Sequence, residues 1–108
     1  MGYIRHHAIV VTASIKANAQ KAYEKAIELF PKTTTNIVED QVNGYCSFLI
    51  APDGSKEGWS ESLEGDINRG LFIDYLNEFA YEDGSNNVRY CEFFYGDDNR
   101  HAKIENHN

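Results

Sequence analysis

The dipeptide Asn43-Gly44 lies between two strand-like runs and constrains the fold of this chain more than any other local feature. Asn-Gly favours a two-residue type I′ turn, because both central residues of that turn need positive φ. The run before it, 36–42, is short and polar, and the run after it, 45–51, alternates between two sets of side chains. We therefore predict an antiparallel hairpin in the middle of the chain.

Further strands and helices are predicted on both sides of this hairpin. A β-branched run within residues 4–12 predicts a buried strand, and Ser14 is a candidate N-cap for a helix that ends before Pro31. Apolar residues spaced by three and four predict a second helix from Asp66 to about residue 80. Gly70 within it is expected to mark a close approach, because glycine in a helix costs about 1 kcal/mol relative to alanine. Residues 88–95 alternate and are rich in aromatics, which indicates a last strand.

This order of elements is typical of an α+β, ferredoxin-like βαββαβ fold. We expect one domain over residues 1–96, in which a four-stranded antiparallel sheet carries both helices on one face. Residues 97–108 are predicted to form a polar C-terminal tail, within which residues 103–105 are a candidate edge strand. A chain of 108 residues is long enough to bury a core without disulfides, and its two cysteines fit neither a disulfide framework nor a zinc motif.

The charge of the chain limits its partners. The formal net charge is −7, and the acidic excess lies entirely in residues 53–108, where thirteen acidic residues face five basic ones. Such a surface argues against direct binding of nucleic acid or of an anionic membrane, because both rely on clustered Lys and Arg. The acidic half can solubilise the protein, or it can bind a basic partner.

Alternation along the strands predicts which side chains the helices leave uncovered. We expect Cys46, Phe48, Ile50, Cys91 and Phe93 to pack under the helices. The outward face would then carry Tyr45, Ser47, Leu49, Tyr90, Glu92 and Phe94. A mixed aromatic and polar face favours an interface or a ligand site, and we expect a homo-oligomer whose interface includes Tyr45, Leu49 and Phe94.

The candidate ligand site combines a loop with histidines of the first strand. The loop from Asp53 to Ser60 offers a tryptophan for stacking and a lysine for anion contacts. His6 and His7 are adjacent, so they face opposite sides of a strand and cannot both bind one metal ion; which of them faces the helices stays open. The candidate ligand-binding residues are His6, His7, Ser47, Asp53, Ser55, Lys56, Trp59, Arg69, Tyr90 and Glu92.

Motifs of enzymes and cofactors are missing from the sequence. We find no nucleophile elbow, no P-loop, and no His-x-x-x-His or Cys-x-x-Cys pair. The expectation is a protein that is not an enzyme and that has no catalytic residue, no metal and no cofactor. The N-terminus has no apolar signal-peptide region, and no run is long enough to span a membrane, so a cytosolic protein is expected.

Four stretches of the chain resemble a family of small, uncharacterised bacteriophage and prophage proteins. They are GYIRHHAIVVT at 2–12, NGY at 43–45, SFLIAPDGSKEGW at 47–59 and YGDD at 95–98. The resemblance implies a phage accessory protein that acts in the cytoplasm of the bacterial host. It supplies no established activity and no set of site residues. Small phage proteins of this kind often counteract host defence, an association by genome context.

The leading hypothesis is a non-enzymatic counter-defence factor that sequesters a small nucleotide-type immune signal as an oligomer. Lys56 and Arg69 would contact its negative charge, and Trp59 or Tyr90 would stack on its base. The alternative is an acidic inhibitor that mimics nucleic acid and occupies a basic channel of a host nuclease. A third interpretation is a structural or dimeric domain with no independent activity.

Overall fold

Five strands and two helices form the protein in the computed structural model, which describes residues 5–56, 58–96 and 102–108. They follow one another as β1 (Arg5–Ala13), α1 (Lys16–Leu29), β2 (Val38–Glu39), β3 (Cys46–Ile50), α2 (Ser60–Asn77), β4 (Val88–Gly96) and β5 (Lys103–His107). The predicted α+β class is confirmed. Neither described helix is both long and apolar enough to cross a membrane.

One antiparallel sheet contains all five described strands, in the order β2-β3-β1-β4-β5. β1 is central, and its residue Ile9 pairs with Ile50 of β3 and with Glu92 of β4. The sheet has one strand more than the four that were expected, because β5 pairs with the outer edge of β4. The candidate edge strand at residues 103–105 lies within β5, which extends to His107 and is exposed along its whole length.

Both helices pack on the same face of the sheet. The ring of Phe48 on β3 lies 5.8 Å from Tyr23 of α1 and 6.5 Å from Phe72 of α2. α1 presents three buried alanines, Ala19, Ala22 and Ala26, which let its backbone approach the sheet closely. The opposite face of the sheet carries no described helix; we call it the open face.

The predicted faces of the strands are correct for β3 and wrong for β4. Cys46, Phe48 and Ile50 are buried under the helices, as expected. On β4, however, Val88, Tyr90 and Glu92 are the buried residues, and Cys91 and Phe93 lie on the open face. The prediction followed apolar character alone. In the fold, α2 supplies polar partners for the inward side chains: the Tyr90 hydroxyl donates to Asn77, and Glu92 pairs with Arg69.

The start of α2 and the caps differ from the predictions. α2 begins at Ser60, six residues before Asp66, so it includes much of the predicted polar segment. Ile15 rather than Ser14 occupies the N-cap of α1, and no side chain caps that end. A Cβ on Gly70 would meet nothing within 4 Å, whereas one on Gly65 would lie 3.1 Å from an Arg69 nitrogen. The close approach is therefore at Gly65.

The central hairpin forms where it was predicted, but through a longer loop. The amide of Asp40 donates to the carbonyl of Tyr45, which leaves residues 41–44 as a loop of four. The Asp40 carboxylate accepts hydrogen bonds from the amides of residues 42–45. These bonds, that from Asn43 first, hold the pKa of Asp40 below its ordinary value of 3.8. A carboxylate cap thus replaces the expected type I′ turn.

Candidate functional site

A cavity of about 450 Å³ lies between α2 and the end of the sheet formed by β1, β4 and β5. Its size is within the range of pockets that bind small molecules. Ten of the described residues line it: Arg5, His7, Asp66, Arg69, Gly70, Ile73, Asp74, Glu92, Glu105 and Asn106. Only one of these ten, Ile73, has a large apolar side chain, so the wall is mostly polar.

A buried ion pair forms part of the cavity wall. Nε of Arg69 lies 3.6 Å from a Glu92 carboxylate oxygen, and the two side chains are 9% and 6% exposed. Arg69 also donates to the Asp66 carboxylate at the cavity rim, and Glu92 accepts a 2.7 Å hydrogen bond from the Asn106 amide. These contacts satisfy the two buried charges and fix the orientation of both groups.

Glu105 and Asn106 both reach the cavity because β5 contains a bulge. β5 pairs Asn106 with Glu92 but Ile104 with Phe93, so Glu105 is an extra residue between the two pairs. In a regular strand, neighbouring side chains would lie on opposite faces; the bulge lets both of these line the cavity. The local irregularity of β5 therefore adds one carboxylate and one amide to the site.

The histidine on the helix side of β1 is His7, which settles the choice between the two histidines. Its Nδ1 lies 3.7 Å from a Glu105 carboxylate oxygen, and its ring centroid is 5.6 Å from that of Phe94. The guanidinium of Arg5 lies 4.6 Å above the Phe94 ring. His6 is on the open face, where its ring is 5.0 Å from Tyr95.

The cavity is acidic overall. Its lining contains four carboxylates, those of Asp66, Asp74, Glu92 and Glu105, against the guanidiniums of Arg5 and Arg69 and the imidazole of His7. Two of the carboxylates contact Arg69 and a third contacts His7. This balance favours a ligand with hydrogen-bond donors or positive charge over a phosphate.

The loop predicted to bind the ligand lies beside the cavity without lining it. Asp53 accepts hydrogen bonds from the Ser55 amide and hydroxyl, at 2.9 and 2.7 Å. Partial burial opposes a lower pKa for Asp53, but the Ser55 hydrogen bonds and the charge of Arg69 outweigh it and lower that pKa. Lys56 lies 5.6 Å from the Trp59 ring, and Trp59 precedes the first turn of α2.

Of the ten candidate ligand residues, the structure brings three together in the cavity: His7, Arg69 and Glu92. Tyr90 is buried against α2 and offers no stacking surface, which corrects its predicted outward position. Ser47 bonds to Thr12 on the open face. Of the predicted interface residues, Tyr45 and Leu49 share that face, whereas Phe94 lies beside His7 on the helix side.

Sequence reasoning missed the acidic part of the cavity. Asp66 and Asp74 belong to α2, and Glu105 and Asn106 belong to β5, for which the sequence suggested an edge strand but no role in a site. One signal was present: Asp66, Gly70 and Asp74 recur every four residues, which places them along one side of the helix. No sequence feature indicated the bulge.

Searches against protein families, curated proteins and solved structures found no match to this chain. Among residues 5–56, 58–96 and 102–108, no three His, Cys, Asp or Glu side chains are grouped to hold a metal ion. Function is therefore argued from the cavity and the surfaces.

Proposed function

We propose that this chain is a binding protein that sequesters a small polar ligand in the cavity between α2 and the sheet, without catalysis. The observation that carries the proposal is the buried Arg69–Glu92 pair in the wall of that cavity. A buried ion pair contributes little net stability compared with well-packed apolar side chains, because removing two charges from water is costly. Because the pair lies in the wall of a cavity of ligand size, we attribute it to ligand binding rather than to stability of the fold.

The acidic lining narrows the class of ligand. Carboxylates of Glu92 and Glu105 are hydrogen-bond acceptors, so they suit amino, guanidino or hydroxyl groups. A nucleotide-type immune signal fits this site through the amino groups of its base, with phosphates kept outside the acidic lining. We propose a donor-rich ligand of about nucleoside size.

The wider biological proposal follows from the resemblance to phage proteins. We propose that the fold is a ferredoxin-like arrangement extended by β5, and that the protein acts as a counter-defence factor in the bacterial cytoplasm. Sequestration of a signal molecule needs a stoichiometric binder and no catalytic group, and the sequence contains no recognised enzyme motif.

We further propose that the protein forms a homo-oligomer through its open face. Val10, Tyr45, Tyr95 and Ile104 are exposed there, beside the partly buried Leu49. None of the described strand residues on this face is an Asp or Glu, so two copies of an acidic protein can approach here without carboxylate repulsion. A shallow pocket of about 340 Å³ lies on the same face beside Val10 and Cys91.

The experiment begins with the protein purified from a bacterial lysate. Denaturation followed by mass spectrometry identifies any compound that copurifies. Thermal unfolding is then measured with agmatine, adenosine and adenosine monophosphate as probes. A ligand at about 100 times its Kd stabilises the folded state by about 2.7 kcal/mol. We expect agmatine and adenosine to raise Tm more than the monophosphate does.

Two variants locate the binding. Gly70→Leu adds a side chain at the cavity lining, where a Cβ has open space, and should abolish the shift. Ala17→Leu adds the same side chain at an exposed position of α1 and should leave the shift unchanged. Equal shifts in both variants would place the ligand elsewhere. A protein that carries no compound and is stabilised by none of the probes overturns the proposal.

A further inference from the structure

A row of large apolar side chains lies exposed on the outer side of α2. Leu63, Ile67 and Leu71 are 60%, 63% and 51% exposed, and Trp59 continues the row before the first turn. The spacing of four places these residues along one ridge of the helix, which we call the α2 row. Three neighbouring aliphatic side chains at this exposure form a continuous patch rather than scattered residues.

Packing among the described residues does not account for the α2 row. The buried residues of α2 include Arg69, Phe72, Ile73 and Leu76, which face the sheet and the cavity. On a surface helix, the side opposite the core ordinarily carries polar residues. α2 instead has apolar residues on both sides, so its outer side has the composition of a contact surface.

Apart from Lys56, which lies beside the Trp59 ring, the charges along the α2 row are negative. Residues 59–87 contain seven carboxylates and one basic residue, Arg69, whose guanidinium is buried and paired. Glu64 is next to Leu63 in the chain, and Asp74 and Glu78 continue the row beyond Leu71 at helical spacing; all three are exposed. Any partner that covers the apolar residues must also face these carboxylates.

The exposed apolar residues and the carboxylates beside them together indicate which class of partner fits this surface. A second copy of the chain would place Glu64, Asp74 and Glu78 against the same residues, and like charges brought together at an interface cost several kcal/mol. A helix with an apolar ridge flanked by Lys or Arg matches both features. From Leu63 to Leu71 the row is about 12 Å long, which matches about two turns of a partner helix.

We propose that the α2 row docks a basic amphipathic helix of a partner protein, packed ridge into groove across α2. The partner's apolar residues would cover Leu63, Ile67 and Leu71, and its basic residues would pair with the flanking carboxylates. This surface is separate from the open face and shares only Asp74 with the lining of the cavity. Its test needs no cavity ligand.

The test uses two synthetic 18-residue amphipathic helices with the same leucine ridge. One carries Lys on both flanks and the other carries Glu at the same positions. Fluorescence anisotropy measures the binding of each labelled peptide to the full chain at 50 and 300 mM salt. We expect the Lys peptide to bind at least tenfold more tightly than the Glu peptide, and to weaken several-fold at the higher salt.

A matched pair of variants identifies the surface. Ile67 and Ile104 are both 63% exposed, but Ile67 is on the α2 row and Ile104 is on β5. Ile67→Gln should weaken the Lys peptide at least tenfold, and Ile104→Gln should leave its affinity unchanged. Glu64→Gln should reduce the salt dependence without loss of folding, because Glu64 is exposed.

Three outcomes overturn the proposal. Equal affinities for the Lys and Glu peptides would mean that the carboxylates do not select the partner. Equal effects of Ile67→Gln and Ile104→Gln would mean that the peptide binds elsewhere. A native mass that falls in Ile67→Gln but not in Ile104→Gln would make the α2 row a contact between copies of this chain.

Discussion

Replacing the two members of the Arg69–Glu92 pair, singly and together, tests whether this pair serves the site or the stability of the fold. Glu92→Leu leaves the guanidinium of Arg69 in a wall where it is 9% exposed. Removing one member of a buried pair costs about 3–5 kcal/mol. Asp66 stays as a second partner of Arg69, so we expect the lower end, about 3 kcal/mol.

The double variant Arg69→Met, Glu92→Leu removes both charges at once. Its remaining polar neighbours, Asp66 and Asn106, are exposed and regain water, so little is left unsatisfied. Apolar replacement of a whole buried pair is often neutral or stabilising, and we expect the double variant within about 1 kcal/mol of the parent. The coupling between the two sites would then exceed about 2 kcal/mol.

Urea unfolding of the parent, both single variants and the double variant measures these free energies. The exposed pair of Lys16 and Glu39, whose Nζ–Oε2 distance is 3.4 Å, is the control: Glu39→Gln should cost less than about 1 kcal/mol. If the double variant loses as much free energy of unfolding as the two single variants lose together, the two charges are not coupled. That result would contradict a role of the Arg69–Glu92 pair in ligand binding rather than in stability. A stable double variant that no longer binds the ligand is the expected result.

Three further predictions concern single residues. Gly70→Ala should stabilise the protein by about 0.5–1 kcal/mol in urea unfolding, because residue 70 is within a helix and its Cβ would meet no atom; a destabilised variant contradicts this. The pKa of Asp40 is lower in the folded protein than its ordinary value of 3.8. The hydrogen bonds of its carboxylate therefore stabilise the fold fully above pH 3.8, and this contribution is lost as the pH falls through the lowered pKa. Protection of the amides of residues 42–45 from hydrogen exchange, measured relative to the intrinsic rate at each pH, should therefore fall at low pH in the parent, whereas Asp40→Ala should show little protection of these amides at any pH. Ile104→Lys should reduce the native mass of the oligomer and Ile67→Lys should not, since only Ile104 is on the open face.

Much of the fold could be predicted because local patterns and tertiary packing agree. The alternation of Cys46, Phe48 and Ile50 placed β3 correctly, and the periodicity of α2 indicated a helix even though its start was six residues late. The prediction failed for β4, where both faces carry aromatic side chains and alternation alone does not choose between them. The deciding partners, Arg69 and Asn77, are far away in sequence.

The site was harder to predict than the fold because two non-local features build it. The bulge in β5 brings Glu105 and Asn106 to one cavity, and α2 adds a row of residues spaced by four. Loop composition drew attention to residues 53–60, whose hydrogen bonds are mostly internal to the loop. Charged residues within regular elements are the more informative signal in this chain, since burial of such groups needs partners.

The cavity and the α2 row meet at one residue, and this predicts coupling between the two proposed ligands. Asp74 lines the cavity and also continues the row beyond Leu71. A lysine of the docked helix that pairs with Asp74 lowers the negative charge available to a cationic cavity ligand. We expect saturating Lys peptide to weaken agmatine about fivefold, and agmatine to weaken the peptide by the same factor, because coupling free energies are reciprocal. Calorimetry in both orders measures the two factors.

Asp74→Asn should remove the coupling while both ligands still bind, and Glu78→Gln, a change outside the cavity lining, should retain it. Independent affinities in the parent protein would show that the partner helix does not reach Asp74, and the docked helix would then have to end at Leu71.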